Sequence, residues 1–364
     1  MTKNKFLFTI IVVILMATLL FGFIYFNKNS LFNHDSVVNP NNIVNNNEQI
    51  PQKINVNLAG TSYNGWLHTD GSILENEKNE PIQLHGLSSH GINWFSDVIT
   101  KENMKYLKDN WNINVFRLAV YTSVGGDGYV FYPKDIDERI SEIVDIAVDL
   151  DVYVIIDWHT LEDNNPQTYQ NNAVAFFDKF SKKYSDIPNV IYEICNEPNG
   201  NDVTWVNNVK PYAESIIPVI RQNSPKSLII VGTPSWCTDL KSVVNNPISF
   251  ENVMYSCHFY SGSHGKELRN EIIYCQNNDI PIFISECGLT DASGNGLLYF
   301  DSFIEWIEFI NLNNLSWTYW SFSNKFESSA ILTEDYTNNQ PISDYLTESG
   351  IFIKKIFEDY TDKK

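Results

Sequence analysis

The sequence predicts an α/β protein: a (β/α)8 TIM barrel with an N-terminal β-hairpin, preceded by a membrane-anchor helix and a flexible linker. From Leu58 onward, eight short apolar runs alternate with amphipathic segments, as in repeated β/α units. Polar or aromatic residues follow each run, as at the carboxyl ends of barrel strands. A doubly wound open sheet is the main alternative, but the Gly-rich phosphate turn that often opens such a sheet is missing from the sequence.

Residues 1–26 are predicted to form a signal-anchor transmembrane helix, because Phe6–Phe26 contains no charged residue and about 20 apolar residues cross a bilayer. Lys3 and Lys5 precede this run and Lys28 follows it, so the N-terminus is expected in the cytoplasm. A cleaved signal peptide is the alternative, although the run is long for that class and lacks an Ala-x-Ala site. The domain is therefore expected outside the cell, membrane-anchored or secreted.

Residues 27–57 are Asn-rich with few apolar residues, which predicts a solvated linker. Residues 58–360 are predicted to form the catalytic domain. Within it, Thr61–Leu84 is expected to form the hairpin, with Asp70-Gly71 as a turn signal. The predicted strands are Ile82–His85, Asn114–Ala119, Val152–Asp157, Val190–Ile194, Leu228–Val231, Val253–Cys257, Pro281–Ser285 and Ser316–Trp320.

Helices are predicted between these strands. Apolar residues from Ile136 to Val148 recur at helical spacing opposite acidic residues. A second apolar stripe runs from Phe300 to Ile310, and a third from Ile351 to Phe357. Thr100 has the position and side chain of a helix N-cap.

Composition restricts the partners of the domain. The formal net charge is −19, which repels phosphate backbones and makes nucleic acid an unsuitable partner. The same charge disfavours polyanionic substrates, whereas a neutral polysaccharide is indifferent to it. Nine Trp and nineteen Tyr supply flat apolar faces with polar tips that suit sugar rings, although many aromatic residues belong to cores.

Two glutamates stand at the ends of predicted strands. Glu197 closes the run that starts at Val190, and Glu286 closes the run that starts at Ile280. If both strands belong to one barrel, the carboxylates face each other across one cleft, and paired carboxylates flanking a bond are the machinery of glycoside hydrolysis. The residues at the eight strand ends are His90 and Trp94, Arg117 and Tyr121, Asp157 and His159, Asn196 and Glu197, Trp236, His258 and Tyr260, Glu286, and Trp320.

Each of these residues has a structural explanation when taken alone, such as a helix cap, an ion pair or core packing, but together they favour a functional site. A zinc hydrolase using His90, His159, His258 and Asp157 is one alternative, although the His-rich spacing of zinc motifs is absent. A serine esterase lacks its Gly-x-Ser-x-Gly elbow. A non-catalytic carbohydrate-binding protein would keep the aromatic residues but would not need both acids.

Six segments of the chain resemble the motif set of glycoside hydrolase family 5. They are Ser88–Trp94, Asn114–Arg117, Ile156–His159, Ile191–Pro198, His258–Tyr260 and Ile284–Glu286. Within that family the chain is similar to endo-1,4-β-glucanases (cellulases). The resemblance implies retaining, endo-acting hydrolysis of β-1,4-glucosidic bonds in cellulose or related β-glucans, with no cofactor and no metal. Mixed-linkage glucan, mannan, xyloglucan and xylan remain alternative substrates, because they differ by single hydroxyls or branches.

The resemblance also implies residue roles. Glu197 is expected to be the general acid/base and Glu286 the nucleophile, held by Arg117 and Tyr260. The other substrate-binding residues are Asn196 at the sugar 2-hydroxyl; His90, His159 and His258 around the cleavage subsite; Trp320 as the stacking floor; Tyr121, Trp94 and Trp236 at further subsites; and Lys325 and Glu327 at a distal glucose. One departure is Cys287, which stands where close relatives have Trp. It is expected to alter packing more than chemistry, because neighbours on a strand face opposite sides.

Overall fold

The structure, a computed structural model, describes residues 60–360. Within this range eight strands close into a barrel in the order β3 to β10, and β10 pairs with β3. Every neighbouring pair in the barrel is parallel. The (β/α)8 barrel predicted from the sequence is confirmed, and the closed topology excludes the open doubly wound sheet.

The elements have clear limits. The strands are β1 (His68–Asp70), β2 (Ile73–Glu75), β3 (His85–Ser89), β4 (Val115–Tyr121), β5 (Tyr153–His159), β6 (Val190–Glu193), β7 (Ile229–Gly232), β8 (Val253–Tyr260), β9 (Ile282–Gly288) and β10 (Ser316–Phe322). The longer helices are Lys101–Trp111, Pro133–Asp149, Gln170–Lys183, Lys210–Asn223, Lys266–Gln276, Phe300–Leu312 and Glu348–Tyr360. Shorter helical turns are Thr61–Asn64, Ile92–Phe95, Ser96–Val98, Pro166–Tyr169, Trp205–Val209, Pro234–Cys237, Lys241–Val244 and Ile342–Asp344.

The predicted strand limits differ most at the first barrel strand. We expected it at Ile82–His85, but β3 begins at His85 and ends at Ser89, because the Ile82 N–H donates to the carbonyl of Leu74 in β2 at 2.9 Å and not to a barrel strand. Most of the later strands run further than predicted at their carboxyl ends. The ladder of β5 continues to His159, since polar residues at this end remain paired with their neighbours.

Period-two alternation decides which side chains enter the barrel. On β4, Val115 joins the interior cluster, whereas Phe116 and Leu118 join the cluster between strands and helices. Arg117 therefore points inward. The interior cluster consists of Val115, Tyr153, Ile155, Ile191, Leu228, Ile230, Met254 and Phe283, together with Leu67, Leu74, Ile82 and Leu84.

A short antiparallel hairpin precedes the barrel. β1 pairs with β2 through His68–Glu75, Thr69–Leu74 and Asp70–Ile73, and Gly71 in the turn has a φ of 55°, a value that glycine adopts without strain. Leu74 packs in the interior cluster beside Val115 and Tyr153, the first residues of β4 and β5. The hairpin thus covers the end of the barrel where these strands begin.

The helix N-cap predicted at Thr100 is confirmed, because its side chain accepts a hydrogen bond from the Asn103 N–H at 3.1 Å. The predicted anchor Phe6–Phe26 and the linker 27–57 lie outside the described residues. Among residues 60–360, no helix combines the length and the apolar character needed to cross a bilayer.

Cys287 behaves as the alternation predicts. Its side chain is buried in the cluster between strands and helices, and its Sγ lies 3.3 Å from the Thr318 carbonyl oxygen. The neighbouring Glu286 carboxylate faces the barrel interior, where it meets Arg117. Cys287 therefore contacts the outer packing layer and not the cleft.

Candidate active site

Glu197 and Glu286 come together at the carboxyl ends of the strands. Glu286 lies within β9. Glu197 lies in the segment that follows β6, which ends at Glu193. A carboxylate oxygen of each glutamate and a ring nitrogen of His258 all lie within 4.8 Å of one another. The two acids predicted from separate strand ends therefore share one cleft.

Glu286 is surrounded by hydrogen-bond donors. The Tyr260 hydroxyl donates to its Oε1 at 2.7 Å, and Nη1 of Arg117 donates to its Oε2 at 3.1 Å. Donors that bind the ionised form of a carboxyl stabilise it, and a guanidinium does so most strongly because it is itself charged. These two donors therefore favour the carboxylate form of Glu286, as predicted.

Glu197 has a different environment. Its Oε1 lies 2.8 Å from Nδ1 of His258, and its side chain is 12% exposed, enough to meet a molecule in the cleft. Burial lowers the pKa of His258 to about 4, so this ring is neutral near pH 7. A neutral imidazole offers Glu197 no full positive charge.

Burial raises the pKa of both Glu197 and Glu286 to about 7. Each glutamate also raises the proton affinity of the other, because two negative charges this close repel. Arg117 lowers the pKa of both carboxyls. The hydrogen bond from the Tyr260 hydroxyl lowers that of Glu286 further, and we therefore expect the first proton to leave Glu286. Glu197 then keeps its proton beside a negative charge, which is the state required of a general acid.

Arg117 binds more than the predicted partner. Its Nε donates to Oε2 of Glu193 at 2.7 Å, and its Nη2 lies 3.0 Å from Oδ2 of Asp157, both shorter than its contact with Glu286. The guanidinium and these two acids are fully buried. Arg117 is thus the centre of a buried cluster of three carboxyls, and Glu286 is one member.

Glu193 is the residue that sequence reasoning missed. It lies inside the apolar strand β6 and is fully buried. A signal was present in the sequence, because a carboxylate within a buried strand requires a charged or hydrogen-bonding partner. The spacing alone did not say that its partner is Arg117.

The predicted histidines fall into three separate arrangements. His159 Nδ1 lies 2.6 Å from Asp157 Oδ2, and the ring stacks on Trp320 with centroids 5.4 Å apart. His90 lies 4.8 Å from Trp320, centroid to centroid, and its Nε2 is 3.0 Å from Nζ of Lys325. His258 contacts Glu197, as described above. His90 and His159 therefore share Trp320 as a packing partner.

The remaining predicted aromatic residues differ in exposure. Tyr121 is buried between His90 and His159, with ring centroids 5.9 and 4.1 Å away. Trp94 is 39% exposed and donates from Nε1 to Asp127 at 2.6 Å. Trp236 is 52% exposed, after β7. Trp94 and Trp236 therefore offer accessible indole faces near the site.

Lys325 and Glu327 form an ion pair, as their joint role predicts, but this pair also reaches the cleavage region. Glu327 Oε1 lies 3.9 Å from His90 Nε2. Asn196 is fully buried: its Oδ1 accepts from Arg117 at 2.6 Å and its Nδ2 donates to the Thr160 carbonyl at 3.1 Å. Asn196 therefore links Arg117 to the segment that follows β5.

Glu197, His258 and Glu286 also have the donor atoms of a metal site, and among residues 60–360 this is the group close enough to hold one ion. It is not the set of three histidines and Asp157 considered above. The Arg117 guanidinium 3.1 Å from Glu286 already neutralises one ligand and would repel a second cation. The geometry therefore suits a pair of acids that act on a bond directly.

Comparisons with known proteins point to one family. A model of the family Cellulase (glycosyl hydrolase family 5) matches residues 75–326. An endoglucanase from Clostridium saccharobutylicum is 46% identical over 298 residues, covering 82% of this chain and 66% of that protein. Endoglucanase A from Evansella cellulosilytica is 48% identical over 253 residues, covering 70% of this chain and 51% of that protein.

Solved structures agree with these relatives. A cellulase structure, Cel5C_n, is 41% identical with a TM-score of 0.80, covering 83% of this chain and 94% of that chain. The catalytic domain of an endoglucanase from Thermobifida fusca is 32% identical with a TM-score of 0.78, covering 82% of this chain and 99% of that chain. The chain spans about half to two thirds of the length of the curated relatives described above.

The Arg117 cluster generates a stability prediction. Arg117→Met removes the only cation that contacts all three buried carboxyls among the described residues, and breaking a buried pair costs about 3–5 kcal/mol. The carboxyls then hold their protons more tightly when folded than when unfolded, so the loss grows as pH rises above about 4.5. Urea unfolding at pH 5 and pH 8 measures this difference.

Lys101→Met is the matched control, since Lys101 and Asp149 form an exposed ion pair that contributes at most about 1 kcal/mol. An Arg117→Met protein as stable as the Lys101→Met protein at pH 8 would contradict the proposed dependence on the cluster.

Proposed function

The chain belongs to glycosyl hydrolase family 5, and from this membership and the site geometry we propose that it hydrolyses β-1,4-glucosidic bonds within cellulose or related β-glucans. The reaction is endo-acting and retains the anomeric configuration. One observation carries the proposal: carboxylate oxygens of Glu197 and Glu286 lie within 4.8 Å of each other. Retaining enzymes place their carboxyl groups about 5–5.5 Å apart, whereas inverting enzymes need about 6.5–9.5 Å for a water.

In the first half of the reaction, Glu286 attacks the anomeric carbon. The bond from that carbon to the leaving oxygen breaks as Glu197 donates its proton to the oxygen. Arg117 and the Tyr260 hydroxyl keep Glu286 ionised for this attack. A covalent glycosyl-enzyme forms on Glu286.

In the second half, Glu197 takes a proton from water, and the hydroxide attacks the same anomeric carbon. The ester bond to Glu286 breaks and the carboxylate is regenerated. Glu197 is ionised in this step and can accept the proton, because its pKa falls when the esterified Glu286 no longer carries a negative charge. Two inversions give overall retention.

The other predicted residues receive proposed binding roles. Trp320, buried against His90 and His159, is the stacking floor of the cleavage subsite. Trp94 and Trp236 offer exposed rings to further sugars. Further proposed contacts are Asn196 to the 2-hydroxyl, His258 at the cleavage subsite, Tyr121 at a further subsite, and Lys325 with Glu327 at a distal glucose.

A carbohydrate-binding protein without activity is the second candidate, but the buried acids argue against it. Such a protein needs the exposed indoles of Trp94 and Trp236 and has no use for two adjacent carboxyls. Holding Glu197 and Glu286 in a buried site is costly, and this cost has a purpose only if their proton chemistry is used.

We also propose that the domain works outside the cell, tethered by Phe6–Phe26 or secreted after cleavage of that segment.

Expression of the full chain in a bacterial host, followed by separation of the membrane fraction, the cytoplasm and the medium, tests this proposal of export. The anchor hypothesis predicts activity in the membrane fraction and a protein that begins at its native N-terminus. Introducing Lys at Ile14 and Leu19 should then release or mislocalise the protein, because charges in the bilayer centre cost about 2.5–3.5 kcal/mol each. Full-length activity in the cytoplasm would contradict export.

The substrate proposal is tested by reducing-sugar release from soluble glucans and mannans. A β-1,4-glucan such as carboxymethyl cellulose is expected to be cleaved internally, with a rapid fall in viscosity for few ends released. Mixed-linkage glucan with contiguous β-1,4 bonds should also be cleaved. Faster hydrolysis of mannan, xylan or xyloglucan would contradict the proposal and identify that polysaccharide as the preferred substrate.

The roles of the two glutamates are tested by a matched pair of variants with an activated aryl β-cellobioside and azide. Glu286→Gly leaves space for azide at the nucleophile position, and one displacement gives an α-glycosyl azide of inverted configuration. Glu197→Ala allows azide to attack the glycosyl-enzyme, and two displacements give the β-azide. Each variant is expected to lose about 10³-fold or more of its polysaccharide activity.

The configuration of the azide product separates the two roles even if both variants are weak. The same anomer from both variants, or wild-type hydrolysis by either, would contradict the assignment.

A further inference from the structure

A continuous chain of hydrogen bonds leads from Glu197 away from the cleft to Glu193. Glu197 Oε1 lies 2.8 Å from His258 Nδ1, and His258 Nε2 lies 3.0 Å from the Ser285 hydroxyl. The Ser285 hydroxyl in turn donates to Glu193 Oε1 at 2.7 Å. Each link joins residues from different strands or loops, and His258, Ser285 and Glu193 are buried.

Glu193 has no part in the proposed reaction, yet its carboxyl group accepts several hydrogen bonds. It accepts from Nε and Nη2 of Arg117 at 2.7 and 3.3 Å, and from Ser285. Burial raises the pKa of Glu193 above its ordinary value, but three donors, two of them from a guanidinium, act against burial and favour the ionised form. An ionised carboxylate can only accept hydrogen bonds.

The direction of every bond in the chain follows from that fact. Ser285 has a single hydroxyl hydrogen, which it gives to Glu193, so the Ser256 hydroxyl 2.6 Å away donates to Ser285 and does not accept from it. The Ser285 oxygen must then accept from His258, so the proton of the neutral imidazole sits on Nε2. Nδ1 is left with a lone pair directed at Glu197. Only a protonated Glu197 can complete this chain, because its O–H then donates to Nδ1.

We propose that Glu193, acting through Ser285, holds His258 in the tautomer protonated on Nε2, and that this tautomer keeps the proton on Glu197 until a leaving oxygen takes it. The proposal rests on the general acid/base role proposed for Glu197. Glu193 and Ser285 are positioning residues here: they reach no substrate and act through the imidazole.

The same arrangement serves both halves of the reaction. A lone pair facing Glu197 disfavours its carboxylate, so the proton is retained before glycosylation. After the proton has gone to the leaving oxygen, that lone pair makes Glu197 a stronger base toward water. If His258 carried its proton on Nδ1 instead, the N–H would stabilise the carboxylate and weaken both steps.

Other ionisable groups near the chain must be counted in any effect of pH. The charged or titratable groups that interact electrostatically with Glu193, His258 or Glu197 are Arg117, Asp157, His159, Glu286, His264, Tyr121, Tyr260, Cys195 and Cys237. None of them is altered by a substitution at Ser285, which carries no charge. A shift caused by that substitution therefore reports the hydrogen-bond chain.

The kinetic test uses Ser285→Ala and the pH profile of kcat/KM, whose basic limb reports loss of the proton from Glu197 in the free enzyme. Without Ser285, His258 is free to protonate Nδ1 and donate to ionised Glu197. The basic limb should then move to lower pH by about one unit, as expected for a hydrogen bond to a charged group. Ser285→Thr keeps the hydroxyl and should restore the limb.

Ser256→Ala is the matched control. Its hydroxyl lies 2.6 Å from that of Ser285 on the neighbouring strand, but it is not between Glu197 and Glu193. Its basic limb should stay within a few tenths of a unit of wild type. A Ser285→Ala limb that coincides with wild type, or a Ser256→Ala limb that moves equally far, overturns the proposal.

The tautomer itself can be measured without activity. Nitrogen-15 chemical shifts of the imidazoles, assigned by loss of the signal in His258→Asn, are recorded above the basic limb, where Glu197 is ionised. Wild type should keep the proton of His258 on Nε2, and Ser285→Ala should move it to Nδ1. A wild-type His258 protonated on Nδ1 overturns the proposal even if the enzyme is a cellulase, whereas absent hydrolysis with the expected tautomer would fault only the proposed function.

Discussion

The site depends on one buried guanidinium. Arg117 meets Asp157, Glu193 and Glu286 within 3.1 Å in a place where charged groups have little water. Removing three carboxyls from water is costly, and a single cation cannot neutralise them all. Protonation reduces this cost, since burial raises the pKa of Asp157 and of Glu286 to about 7 and a protonated carboxyl carries no charge. Proton affinity near neutral pH is what acid and base catalysis requires.

The barrel brings Glu197 and Glu286 together and gives them different neighbours. Because parallel strands end at one edge, acids from β9 and from the segment after β6 reach the same space. Their neighbours differ: Glu286 has a charged and a hydroxyl donor, whereas Glu197 has a neutral imidazole. The proposed mechanism uses this difference to hold two identical side chains in opposite protonation states.

Much of this could be predicted from the sequence, and the limits of prediction have physical causes. Glu197 and Glu286 were recognisable because each ends an apolar run, and Arg117 because it belongs to a predicted barrel strand near its carboxyl end. Strand ends were harder, as at His159, because polar residues that face a cleft still pair along the ladder. Glu193 was missed because its significance lies in contacts with β4 and β9, and a single strand does not reveal which neighbours a buried acid meets.

The most direct measurement of the central claim is a covalent trap. Fluorine at carbon 2 of a cellobioside slows both displacements, and an activated leaving group restores the rate of the first. The glycosyl-enzyme therefore forms faster than it is hydrolysed, and it accumulates. After digestion with a protease, mass spectrometry should find the sugar on the peptide that contains Glu286, with Glu197 unmodified. A label on Glu197, or on any residue outside the cleft, would contradict the assignment of nucleophile and proton donor.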